Sequence, residues 1–515
     1  MPLVFEVATD PAPAASGRND IACFVGHVAR RAGTPLPAGT ADALRRAGWI
    51  GGPWAADAAR LAALADVPVA VDSWTEFQRL YDWASRPVTE GGQGRAASLL
   101  GAAVRSFFAQ GGRRAVIVRV GDPWPVIEAD VPASVRAQRL DALAPAAQVD
   151  AMDPRAWRGL AHLHGVAEAA MVCLPDLPEI YRVAVPPPAT RTPLVAVPEV
   201  FVECSVEVPA VSDTSLRRTA APGLDAAGWA AWAGAVGRVR AFLLRFRRDC
   251  LFIGALPLPA SHDDSPAAGR AFADPLAMLL GAGVLLAPGT DAAQASSALV
   301  QLAWPWLRLR NGADLAEALT PPDGVLAGVL AANALARGTF RSAAGRPIAE
   351  VVDALPQPAW GLAPDSPWQR LAERICVIAP EPGGWALQSD VTASPDRAWR
   401  GGQASRLVAS VLRAAREIGQ PHVFGPNGPA LWAEVQRGME QLLLAYWRAG
   451  GLGGAGADEA FDVRCDRATM TQADLDAGRI VCRVTLLPAA AVDRITVTFA
   501  LAAGDDAALP LAEAA

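Results

Sequence analysis

Residues 67–120 restrict the fold more than any other stretch of the chain. Val67–Val71 reads as a strand and runs into Ser73-Trp74-Thr75-Glu76, with Phe77 and Leu80 opening an apolar face. Serine at the cap with glutamate three residues on is a capping box, so a helix starts there. Ala96–Gln110 has helical period, and Gly111-Gly112 end it with residues that tolerate the left-handed backbone. Arg114–Val120 is then almost continuously apolar, the pattern of a strand covered on both faces. Strand, helix and strand in that order predict an α/β layer architecture. An apolar strand at Ala22–Val28 precedes this unit. Strand-like Ala170–Leu174, Val200–Val206 and Cys250–Leu256 alternate with helical Ala226–Arg247 and Ala292–Val300 after it.

At 515 residues the chain exceeds one core, because single cores stop growing near roughly 250–300 residues. A second unit is legible at the C-terminal end. Gln403–Ile418 has an apolar face of Leu407, Val411, Leu412, Ala415 and Ile418. A further helix follows Asn427 as cap, with Pro429 in its first turn and a stripe of Leu431, Trp432, Val435, Met439, Leu442, Leu443, Tyr446 and Trp447. Gly450 stops it, and three strands follow at Phe461–Cys465, Arg479–Leu487 and Arg494–Leu501. The last alternates with period two. The expected division is an arm at 1–20, an α/β domain at 21–380 and an α+β domain at 381–515.

Composition removes whole classes of chemistry. All 46 basic residues are arginine, so neither a P-loop lysine nor a Schiff-base lysine exists. A net charge of -6 with scattered arginine gives no basic stripe for nucleic acid. The seven cysteines are widely spaced without a C-x-x-C pair, and most lie in apolar runs as small buried hydrophobes. A reducing compartment during folding is expected. Met1–Val7 is no signal peptide, and the longest apolar run, Pro275–Gly289, is too short to span a bilayer. No cofactor is expected.

Three motif-like strings fail on context. Gly451–Gly456 spells G-x-G-x-x-G but follows a helix, so it reads as a loop. His162 and His164 have no further ligands at metal-site spacing. Ser261-His262-Asp263 holds three triad residue types side by side, whereas triads meet through the fold and no G-x-S-x-G elbow occurs. A hydrolase using Ser261 and His262 stands as the alternative from another class. Sixteen tryptophans, among them Trp304, Trp306, Trp432 and Trp447 beside apolar residues, fit packing or subunit contact.

The two extremities pose a physical question. Leu3-Val4-Phe5-Glu6-Val7 is a lone strand cut off by Pro11, Pro13 and Gly17, and Arg494–Leu501 is a strand near the other end. Unpaired strand edges carry backbone groups that template association with another chain. Leu3, Val4, Phe5, Glu6, Val7, Arg494, Ile495, Val497, Phe499 and Leu501 are therefore candidates for pairing between subunits by strand addition. Pairing within their own molecule is the alternative.

Several segments resemble the tail-sheath proteins of contractile phages, R-type bacteriocins and extracellular contractile injection systems. They are Phe24-Val25-Gly26, Val69–Phe77, Ala103–Val120, Pro321-Pro322-Asp323-Gly324 through Val329, Arg337-Gly338 and Ala343-Ala344-Gly345. The most specific succession is C-terminal: Phe424-Gly425-Pro426-Asn427, Leu431-Trp432, Trp447-Arg448-Ala449-Gly450, Phe461–Asp466 and Thr469–Arg479. The likeness covers 21–120 and 320–500, and 121–320 departs from it.

The resemblance implies a subtilisin-like three-layer α/β domain with an α+β C-terminal domain and extended terminal linker strands. It implies a structural, non-enzymatic subunit that polymerises as a helical stack of hexameric rings around an inner tube and contracts to drive that tube through a target membrane. Terminal arms would donate strands to neighbours. Baseplate and cap proteins would be further partners, without nucleic acid or membrane insertion. Assembly would occur in the cytoplasm, before release as part of a phage tail or extracellular particle. A cap, baseplate or sheath-terminating paralogue is the alternative within the same particle. Arg406 and Arg413, seven apart on the first C-terminal helix, are candidate contacts with an acidic tube, solvated arginine being the plainer reading.

Overall fold

The computed structural model describes residues 18–184, 216, 219–260, 275–287, 296–357, 367–422, 427–489, 495–501 and 513–514, apart from gaps at 38, 51–54, 93, 129–130, 147–150, 152, 155, 311 and 313. The arm strand Leu3–Val7, Val200–Val206, Ser261, His262 and Arg494 lie outside these residues.

A nine-stranded mixed sheet dominates. Its strands in chain order are β1 (Ala22–His27), β2 (Pro68–Val71), β3 (Ala115–Gly121), β4 (Met171–Cys173), β5 (Leu251–Ala255), β6 (Val300–Trp304), β7 (Pro347–Ile348), β8 (Cys376–Glu381) and β9 (Gly384–Leu387). Across the sheet they run β2-β3-β1-β4-β5-β6-β8-β9-β7. The six from β3 to β8 are parallel, and antiparallel strands close both edges. All residues of β1 and β5 are buried, which requires cover on both faces of the sheet.

The covering helices include α1 (Leu99–Ala109), α2 (Ala226–Phe246) and α3 (Asp323–Arg337). Ser98 caps α1 by accepting from the Gly101 N–H, and Gly111 follows with φ +99°. Phe107 of α1 meets Phe24 of β1 edge to face at 5.5 Å. Helices α1 and α3 pack against each other at backbone distance. A Cβ on Gly324 would stand 2.2 Å from the Ala103 carbonyl oxygen, and one on Gly328 would stand 2.5 Å from that of Phe107. That is the physical content of the Asp323-Gly324…Gly328 spacing in the sequence.

A second core lies C-terminal. Helix α4 (Gly402–Gly419) contributes Leu407, Val411 and Ala415, and α5 (Pro429–Arg448) contributes Leu431, Val435, Met439, Leu443 and Tyr446. The two helices are joined by a hydrogen bond from Tyr446 Oη to Ser410 Oγ at 2.9 Å. Beneath them lies an antiparallel sheet of β10 (Phe461–Arg464), β11 (Ile480–Leu486), β12 (Ile495–Leu501) and β13 (Glu513–Ala514). Val463 and the alternating Ile480, Cys482, Val484 and Leu486 face the helices.

Four expectations change. Val300, read as the end of a helix, opens β6, since the fully buried run Val300–Trp304 suits a two-sided central strand. Helix α5 is capped by Gly428 and begins at Pro429, while Asn427 accepts from Trp432 Nε1 at 2.7 Å. At Ser73 only half of the expected box forms. Ser73 Oγ accepts from the Glu76 N–H, but Glu76 Oε2 accepts from the Asp72 N–H instead of that of Ser73. Finally, β9 keeps the large sheet running to Leu387, past the boundary expected at 380.

Candidate assembly surface and interlobe junction

The sequence singled out the terminal strands, and β12 is the one that falls among the described residues. It pairs over its whole length with β11 of its own chain, from Ile480 opposite Leu501 to Leu486 opposite Ile495. Home pairing, held open as the alternative above, is thus what one edge of Ile495, Val497, Phe499 and Leu501 does. The other edge differs. Among the described residues its partners are Ala514 opposite Ile495 and Glu513 opposite Thr496, and the backbone from Val497 to Leu501 has none. Five residues of edge are enough to seat a short added strand.

Arg406 and Arg413 are not surface cations. Each is 5% exposed, because α4 turns them toward the large sheet and away from solvent. Arg406 grips Asp390 in a two-pronged pair, Nη1 to Oδ1 at 2.8 Å and Nη2 to Oδ2 at 2.6 Å. It also donates from Nη1 to Gln301 Oε1 of β6 at 3.2 Å. Asp390 further accepts from the Ala343 N–H at 2.8 Å and Gln301 Nε2 at 3.1 Å. Burial alone would raise the Asp390 carboxyl, but Arg406 and these donors outweigh it and hold it below the usual range.

The second junction is built on Asp249, between α2 and β5. Its carboxylate, 1% exposed, accepts from Arg247 Nε at 3.0 Å and from Arg416 of α4 at 2.9 and 3.1 Å. Burial would raise this carboxyl too, and Arg247 with Arg416 drives it well below the usual range. Arg247, 3% exposed, spends its other donors on the carbonyls of Leu163, Val166 and Ala169. Arg413 donates to the Asp249 carbonyl and to Asn19 Oδ1. One arginine therefore ties the root of the N-terminal segment to both cores. Sequence periodicity marked Arg406 and Arg413 as polar-face residues. The missed signal was their partner set, Asp249 and Asp390, which is distant in sequence.

In an open α/β sheet, ligands bind beyond the carboxyl ends of the strands where the strand order reverses, here between β1 and β4. That position is packed with side chains. His27 Nδ1 lies 3.2 Å from Asp176 Oδ2, which also accepts from the His27 N–H at 2.6 Å. Trp124 meets the His27 ring edge to face at 4.7 Å. Arg86 and Arg182 share Glu179 Oε1 at 2.6 and 2.9 Å, all three buried. Asp323 is fully buried at the start of α3, and burial raises its carboxyl to about 7. A Cβ on Gly26 would lie 2.6 Å from Asp176 Oδ2, which shows how closely the space is filled. His162 is buried, and its ring nitrogens lie 2.9 Å from the Gly159 and Asp66 carbonyl oxygens. Among the described residues, no cluster of three or more His, Cys, Asp or Glu could hold a metal, and no helix is long and apolar enough to cross a membrane.

No family model matches the chain, and no curated protein does. Among solved structures, a chain of the anti-feeding prophage (AFP) baseplate, 6-fold symmetrised, is 18% identical with TM-score 0.51, covering 95% of this chain and 94% of that one. A chain of the AFP baseplate in contracted state is 16% identical with TM-score 0.52, covering 96% and 94%. A chain of the AFP helical sheath in contracted state is 18% identical with TM-score 0.48, covering 95% of both. Over nearly its whole length, then, this chain has the fold of a component of the AFP baseplate assembly.

Proposed function

We propose that this chain is a structural subunit of a contractile tail sheath, one that polymerises helically around an inner tube and shortens to drive it through a target membrane. The observation that carries the reading is the C-terminal sheet, in which, among the described residues, the outer backbone edge from Val497 to Leu501 has no ladder partner. Polar backbone at a strand edge gains hydrogen bonds by adding a strand from a neighbouring copy. Such a contact is heterologous, and a heterologous contact that does not close on itself builds an open helix. The arm Leu3–Val7 is the donor, and the fold shared with a component of a contractile particle supports the assignment.

On this reading the large sheet with its helices is the subtilisin-like layer facing outward, and the C-terminal α+β unit faces the tube. Baseplate, cap and tube proteins are the partners. The particle assembles in the cytoplasm and acts outside it, without nucleotide and without catalysis by this chain. A second reading has its own support. The two chains cited above with TM-scores of 0.51 and 0.52 come from baseplate structures, which favours a baseplate-proximal or sheath-terminating paralogue.

Electron microscopy of the purified chain separates these readings. Striated hollow tubes are expected of the sheath subunit, and a monodisperse particle that joins only a preformed baseplate would identify the paralogue. Deleting residues 1–17 should abolish tubes and leave a folded monomer. Tubes of normal length after that deletion would refute strand donation by the arm.

A further inference from the structure

Two cysteines that the sequence spaced far apart face each other across the C-terminal sheet. The β10–β11 register runs from Phe461 opposite Leu486 to Arg464 opposite Arg483, so the next step sets Cys465 opposite Cys482. Both side chains point to the same inner face, buried with Val463 and Val484. Directly opposed residues of antiparallel strands have Cα atoms about 4.5 or 5.5 Å apart, and both spacings lie within the range a disulfide accepts. Both thiols are free here.

The other described cysteines are unlike this pair. Cys23, Cys173 and Cys250 lie in the middle of the large sheet, and burial pushes all three thiols up, Cys250 to about 12. Cys376 is pushed up to about 12 in the same way. Cys465 is the described cysteine whose thiol is held below its ordinary value, because the Cys482 thiol hydrogen-bonds to its sulfur. It follows β10, the edge strand of its sheet, between the exposed Arg464 and Asp466.

We propose that Cys465 and Cys482 form a redox-active dithiol that a low-molecular-weight disulfide closes into a cross-strand disulfide, stapling β10 to β11. The Cys465 thiolate attacks one sulfur of the reagent, making a mixed disulfide and releasing the first reagent thiol. Cys482 then loses its proton and attacks the Cys465 sulfur, expelling the second. Two protein thiols are oxidised to one disulfide as the reagent disulfide is reduced to two thiols, which take up the two protons. The staple closes the loop 466–481 at the strand on which β12 is built. This assignment is independent of the assembly reading above.

The test uses the full chain with oxidised glutathione, followed by acid quench, alkylation of the unfolded protein and peptide mass spectrometry. The expected result is a Cys465 peptide joined to a Cys482 peptide. Amide exchange in Ile480–Leu486 should slow by about a hundredfold, as closure of a loop near 15 residues implies, and reductant should restore it. In Cys482→Ser the reaction should stop at Cys465 mixed with glutathione. Full alkylation of both cysteines in the oxidised wild type, or Cys465 joined to any other cysteine, would overturn the proposal. An unmodified Cys465 in Cys482→Ser would overturn the order of attack.

Discussion

Asp249→Asn is the sharpest perturbation of the junction between the two cores. The substitution keeps the shape and one acceptor oxygen but removes the charge that Arg247 and Arg416 share. Arg247 cannot follow its lost partner into water, being 3% exposed and held by the carbonyls of Leu163, Val166 and Ala169. Breaking a buried pair so that one charge is left behind costs about 3–5 kcal/mol. The retained acceptor and those carbonyls argue for the lower end, about 3 kcal/mol, or roughly a hundredfold in an opening equilibrium. Arg416→Ala removes the other partner, whose side chain is 39% exposed, so screening by water limits the loss to under about 1 kcal/mol.

A chain of this size does not unfold as one unit, so a global midpoint is the wrong observable. Native-state amide exchange read over Gly402–Gly419 and Ala226–Phe246 reports the junction directly. Acid supplies the sign. The folded Asp249 carboxyl is depressed, so its contribution is present above the unfolded value of about 4 and is lost as pH falls toward the folded value. The gap between wild type and Asp249→Asn should therefore narrow below about pH 4. Equal exchange in the two proteins at pH 7, or a larger effect from Arg416→Ala, would falsify the claim that this carboxylate holds the junction.

Two further outcomes follow from other buried groups. Burial disfavours the charge of Asp323 and raises its carboxyl to about 7, and among the described residues its Oδ2 has no hydrogen-bond partner. A raised folded value contributes stability that is complete below about pH 4 and is lost as pH rises to about 7, at up to about 1.4 kcal/mol per pH unit. Asp323→Asn keeps the Oδ acceptor for the Gly324 N–H and should flatten that slope in exchange of the Asp323–Arg337 amides. An unchanged slope would show that the carboxyl is not the titrating group. Gly324→Ala should separate α1 from α3, since its Cβ would lie 2.2 Å from a backbone oxygen, and cost about 1–3 kcal/mol. Amide exchange over Leu99–Ala109 and Asp323–Arg337 indistinguishable from wild type would refute that close approach.

What was legible in the sequence was whatever depended on local period. Ser73 and Gly111 mark helix ends by local hydrogen bonding and left-handed tolerance, and the structure uses both of them, whereas the Ser98 cap of α1 was not read. The strand read at Arg479–Leu487 falls where β11 does, with one side of that sheet covered by α4 and α5. Strand β6 was misread because a strand buried on both faces loses its alternation, so that Val300 reads equally as helix. Among functional candidates, α4 had the right period and its arginines the wrong destination. Burial of an arginine is decided by a carboxylate elsewhere in the chain, here Asp249 and Asp390, and a periodicity cannot see it. The Cys465–Cys482 encounter was hidden for the same reason: it is a property of register, which the turn between two strands fixes and spacing alone does not.

The junction bears on mechanics if the proposed function holds. A subunit that hands force from one neighbour to the next must not yield between the point where an arm enters and the sheet that receives one. Asn19 stands at the root of the N-terminal segment, and β12 belongs to the sheet beneath α4. Between them lie few steps: Asn19 to Arg413 by a side-chain hydrogen bond, Arg413 along α4 to the core it shares with β11, and β11 to β12 through a continuous ladder. Arg413 also holds the Asp249 carbonyl, so the large sheet is clamped to the same helix two residues before β5 begins. Charge-assisted hydrogen bonds between buried partners are short and directional, which resists shear better than an apolar contact that can slide. A load applied at Asn19 thus reaches both cores through α4.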